Sequence, residues 1–107
     1  MALVSLEEAK QYLRVDSADE DSLISSLSLS AEILVKDVGR VSEESWAEVI
    51  AEPTEEDTDE LKGLRSILKE AEMYTLAYLF EHREEADHHD LVITLRNLLF
   101  SVREGVI

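Results

Sequence analysis

Residue types that could hold a metal or move a proton gather in one stretch, Asp87-His88-His89-Asp90, with His82 and Glu84-Glu85 close by. Histidine nitrogen and carboxylate oxygen suit zinc or manganese. Adjacent histidines in a loop do not share a face, however, and no second pair of the H-E-x-x-H kind is present. A polar loop in which Asp87 or Asp90 caps the last helix is the better account, so no metal site is expected. Nucleophilic chemistry lacks its parts as well: there is no cysteine, no G-x-S-x-G elbow and no phosphate-cradling glycine loop. The pairs Glu7/Glu8, Glu43/Glu44, Glu55/Glu56 and Glu84/Glu85 are sequence neighbours that point apart on a helix, so they make no acid–base dyad. The expectation is a protein without catalysis, cofactor or metal.

Net charge constrains partners more tightly. With 25 acids against 10 bases the chain carries a formal charge of -15. A surface that grips nucleic acid neutralises phosphates with Lys and Arg, and anionic lipid makes the same demand. Neither DNA clamping nor membrane attachment is expected. No apolar run approaches the ~20 residues that span a bilayer. Met1-Ala-Leu-Val is too short for a leader's apolar segment and runs straight into a capped helix, so the product should stay in the cytoplasm where it is made.

A chain of 107 residues with 3 glycines and 1 proline favours helices around one core, in one domain over 1–107. Ser5 and Glu8 have capping-box spacing. Leu6, Ala9, Tyr12 and Leu13 then recur at helical intervals, predicting a first helix to about Arg14. Ser17 and Glu20 repeat the box before a second helix whose stripe is Leu23, Ile24, Leu27, Ala31, Leu34, Val35 and Val38, with Gly39 as its stop. The short turn between them predicts a hairpin.

Ser42 opens a weaker segment in which Trp46, Val49 and Ile50 suit either a short helix or a loop, ended by Glu52-Pro53. Acidic Glu52 to Glu60 reads as a solvated loop. From about Thr58 a long helix is predicted, with Leu61, Leu64, Ile67, Leu68, Ala71, Tyr74, Tyr78 and Leu79 on one side. Its end, Met73 to Phe80, is apolar nearly all round, the mark of a central element. A final helix follows, striped by Leu91, Val92, Leu95, Leu98, Leu99 and Val102 and ending near Gly105. The predicted fold is all-α, a single small bundle of four to five helices with an N-terminal hairpin and a long central helix.

Residues spaced ~100° apart around each helix leave apolar positions that these stripes do not use. Leu29 and Ile33 lie opposite the stripe of helix two. Met73, Ala77 and Phe80 do so on the long helix, where burial inside the protomer accounts for them. Ile93 and Phe100 do so on the last helix, near Arg96 and Arg103. A lone bundle needs one stripe per helix, so Leu29/Ile33 and Ile93/Phe100 are expected to meet other subunits. Arg83 and Arg103, near predicted helix ends, suit either the terminal carbonyls or ion pairs across such an interface. The serines Ser22, Ser25, Ser26, Ser28 and Ser30 are read as a solvent face.

Three blocks resemble the small head–tail connector, or head-completion, proteins of tailed bacteriophages. The first is Leu6-Glu-Glu-Ala-Lys-Gln-Tyr-Leu-Arg-Val-Asp16, followed by Glu20-Asp21 and a helix with a mid-point alanine, Ala31. The second is Leu76-Ala-Tyr-Leu-Phe-Glu-His-Arg-Glu84. The third is Leu95-Arg-Asn-Leu-Leu-Phe-Ser-Val-Arg103. Each block is generic amphipathic helix; their order and spacing carry the likeness, and Val41 to Glu60 contributes nothing to it. The resemblance implies a structural subunit that forms a ring with copies of itself at the head–tail junction of the virion. That ring sits between the portal protein and the next head-completion or tail protein, with double-stranded DNA as passing cargo. Carboxylates lining its channel would repel the phosphate backbone and let it slide.

Two readings from other classes stay open. An acidic regulatory or DNA-mimic protein would present carboxylates at phosphate-like spacing to a basic partner. A small metal-dependent hydrolase would be built on the His cluster; His89-Asp90 is similar to a motif of helical phosphohydrolases, which need further ligands from several helices.

Overall fold

The computed structural model describes residues 3–82 and 88–100. Five helices follow in order: α1 (Leu6–Leu13), α2 (Asp21–Val38), α3 (Glu43–Ile50), α4 (Asp59–Glu81) and α5 (His89–Leu99). Among the described residues the fold is all-helical, as the sequence predicts. At 23 residues, α4 is about 35 Å long. It touches each of the other four helices and makes its largest interface with α2. The bundle measures 38 × 32 × 18 Å, about two helix diameters thick in its short direction. Among the described residues, no helix is long and apolar enough to cross a membrane.

Local chemistry sets most helix starts. Ser5 Oγ accepts the Glu8 N–H while Glu8 Oε1 accepts the Ser5 N–H, both at 3.1 Å, completing the predicted box. Ser42 and Thr58 cap α3 and α4 through the Ser45 and Leu61 amides. The segment 43–50 is therefore helical, with Trp46 and Val49 buried. At Ala51 the chain turns extended, just ahead of Glu52-Pro53. The second predicted box does not form. Glu20 is the residue before α2, without a side-chain cap, and the Asp21 N–H closes a turn onto the Ala18 carbonyl. Lys10 pairs instead with Asp21 at 2.8 Å, tying α1 to the start of α2. Asp90 does not cap α5 either: His88 occupies that position and Asp90 lies within the first turn. Asp87 is outside the described residues.

Gly39 ends α2 for lack of room, not for its backbone freedom. Its φ of -75° is right-handed, and Arg40 supplies the left-handed residue. A Cβ on Gly39 would lie 2.9 Å from the Val35 carbonyl oxygen and 3.4 Å from Leu99 Cδ1, where α5 packs on the helix end.

Ile24, Ala31 and Val35 of α2, Leu68, Ala71 and Leu76 of α4, and Leu91, Leu95 and Leu99 of α5 are almost wholly buried, joined by Leu3 and Val4 ahead of α1. Met73, Tyr78, Leu79 and Phe80 pack against this core, in keeping with the central position expected for the end of α4. Three stripes need correction. Tyr74, placed inward from its spacing, is 41% exposed, while Glu72 and Thr75 are buried. Leu6 and Tyr12 of α1 and Leu98 of α5 are also exposed. Apolar spacing alone points the inward face of α4 away from Glu72, which the buried face nevertheless includes.

Candidate functional site

The interface residues predicted from angular position are outward-facing. Leu29 is 60% exposed, Ile33 61%, Ile93 43% and Phe100 61%. Leu29 and Ile33 occupy the side of α2 away from Ile24, Ala31 and Val35. Ile93 and Phe100 stand likewise relative to Leu91, Leu95 and Leu99. Arg83 and Arg103 lie outside the described residues.

A shallow groove of about 250 Å³ runs beside Leu29. Val4, Leu6 and Leu29 form its apolar side, and Ser25, Ser28 and Glu32 its polar side. Behind it stands a feature that the sequence reading missed. Glu72 of α4 is fully buried, its Oε2 3.5 Å from the Ser28 hydroxyl, which donates. Its other oxygen, Oε1, has no hydrogen-bond partner. Burial, and then the nearby Glu32 charge, push its pKa up to about 8. Desolvation also raises Glu32. The nearby cation Lys69 is engaged elsewhere, pairing with Glu8 of α1. That pair, followed by the Ser5 amide, holds Glu8 below the usual carboxylate range. Three acids from three helices thus meet where one lysine answers one of them. The serine face predicted for solvent is split accordingly: Ser25 and Ser28 line the groove, and Ser28 is half-buried.

Helical spacing held the signal for Glu72. It lies four residues after Leu68 and four before Leu76, both fully buried, so it shares their face.

Two of the histidines pack against one tyrosine. His82 stacks on Tyr78 with ring centroids 4.1 Å apart, and its Nδ1 lies 2.9 Å from the Tyr78 carbonyl oxygen. His88 meets the same ring edge-on at 5.7 Å. Among the described residues, no group of three His, Cys, Asp or Glu could hold a metal ion.

A second groove, on α5, is lined by Ile93, Arg96, Asn97 and Phe100. Arg96 therefore lies between the two exposed apolar residues. Among the described residues no ion pair engages it. These features define a helical bundle with two unlike apolar surfaces, one bordered by acid and the other by arginine. No family model, curated protein or solved structure matches the chain.

Proposed function

We propose that this chain is a subunit of a phage head–tail connector ring that docks on the portal and forms part of the DNA channel during head completion. One observation carries the reading: Leu29/Ile33 and Ile93/Phe100 remain uncovered in the protomer, on the outer sides of two different helices. A ring requires a heterologous interface, in which one surface of each copy meets a different surface of the next. The order of the three connector-like blocks adds the phage context. The excess of acids suits a conduit that must not hold the duplex it passes, since each retained phosphate contact needs a cation.

Light scattering tests the reading. The wild-type chain should gain mass with concentration. Leu29→Glu combined with Ile33→Glu should stay folded by circular dichroism and lose that gain, because both positions are solvated in the protomer. An unfolded double variant would instead make these residues core. A coding position beside portal and capsid genes would support the virion assignment. The -15 charge also suits a DNA mimic, and a stable monomer that blocks a DNA-binding enzyme would favour that reading.

A further inference from the structure

Resting on the connector reading, the geometry points to a specific contact: the α1–α2 groove of one copy receives the Ile93–Arg96–Phe100 surface of the next, with Arg96 directed at Glu32 and Leu29 against the apolar pair. Both halves are incomplete in the protomer. On the groove side, Glu32 is half-buried, and Glu72 stands behind Ser28 with one oxygen unpartnered in a fully buried side chain. Lys69 answers Glu8, and Lys36, one turn from Glu32, pairs with Glu43 at 2.7 Å. Lys36 acts on Glu32 only at a distance, and among the described residues no cation pairs with Glu32 directly. A half-buried carboxylate with no paired cation is costly, so a guanidinium arriving at the groove improves the environment of Glu32.

On the α5 side, Arg96 is an exposed guanidinium flanked by Ile93 and Phe100. Exposed apolar residues around a charge form the arrangement in which an ion pair is shielded from water and gains weight. Two copies of a chain this acidic repel each other unless cations are concentrated where they touch. The arginine flanked by two exposed apolar residues is well suited to that place. The two surfaces lie on different helices and differ in sign, so the contact is head-to-tail, as a ring demands.

Charge exchange on the full chain tests this. Glu32→Arg and Arg96→Glu, each alone, should raise the dissociation constant measured by sedimentation about tenfold or more. Together they should restore most of the loss, since the pair is re-formed with its signs reversed. Glu32→Gln guards against misfolding in Glu32→Arg: it should weaken assembly with helicity unchanged. If wild type assembles but neither single variant weakens it, or the double variant fails to recover, this contact is wrong and the ring reading survives. A wild-type chain that stays monomeric even at NMR concentrations removes both. Tetralysine is a control: if it perturbs the Ser28 and Glu32 amide resonances while Arg96→Glu still assembles normally, the groove serves a foreign basic segment and the proposed occupant is overturned.

Discussion

Arg65 and Glu72 stand seven residues apart, on nearly the same face of α4, and their surroundings are opposite. Around Arg65 every charge has its answer. Its Nε donates to the Val49 carbonyl at 3.0 Å, Nη2 to the Glu48 carbonyl at 3.3 Å, and Nη1 to Asp57 at 3.1 Å. Asp57 in turn accepts the Thr54 amide and hydroxyl. The Thr54 amide, and then Arg65, hold the Asp57 carboxyl below its ordinary range. This clamp joins the end of α3 and the acidic loop to the central helix. Glu72 has a distant serine hydroxyl and an unpaired oxygen. Buried polar groups are ordinarily satisfied, so the clamp reads as architecture and the unsatisfied acid as a cost that the fold carries.

The largest expected effect comes from removing the unsatisfied carboxyl group. Glu72 keeps its proton up to about pH 8 in the native state, whereas the unfolded chain releases it near the ordinary value of 4.5. Its folded pKa is raised, so the native state binds the extra proton between these limits. The resulting penalty is absent below pH 4.5, grows by about 1.4 kcal/mol per pH unit, and is complete above pH 8. Glu32, Glu8 and Lys69 are the charged groups around it. The raised Glu32 acts in the same direction, and the depressed Glu8 acts only below its own ordinary value. Glu72→Gln should therefore stabilise the protein by on the order of 3 kcal/mol at pH 8, with little change near pH 5. Urea unfolding at both pH values checks this, and equal stabilisation at both would place the carboxyl in water.

Arg65→Ala comes next. It strands two backbone carbonyls and the Asp57 carboxylate, and should cost about 2 kcal/mol. Hydrogen exchange of the α3 amides should accelerate more than that of α5. Uniform acceleration would mean that the clamp does not localise its effect.

Ser28→Ala is the smallest change, about 0.5 kcal/mol, as befits a long bond. Its sharper readout is the Glu72 carboxyl resonance, whose midpoint should move upward because the hydroxyl favours the ionised form. A midpoint that stays fixed would show that Ser28 and Glu72 do not interact.

The exposed apolar positions were largely legible in the sequence. Leu29, Ile33, Ile93 and Phe100 stand opposite long and unambiguous stripes, and angular position alone puts them outside. The acid behind the groove was not. Its position between Leu68 and Leu76 is visible in the spacing, but a chain with 25 acids makes each one look like solvated surface. Tyr74 differed in the opposite direction, an apolar letter whose place on α4 leaves it 41% exposed.

With 43–50 left open between helix and loop, what the sequence determined by itself is what a few consecutive residues can settle: the capping box at Ser5, the start of the long helix near Thr58, the extended exit before Glu52-Pro53, and the other helices. These rest on hydrogen bonds that close within one turn, so the partners are adjacent in the chain. Burial of Glu72, its reach to Ser28 forty-four residues away, and the tight seat of Gly39 against Leu99 were decided only when the helices packed. Desolvation depends on which surfaces exclude water together, and that is a property of the assembled bundle and of no single segment within it.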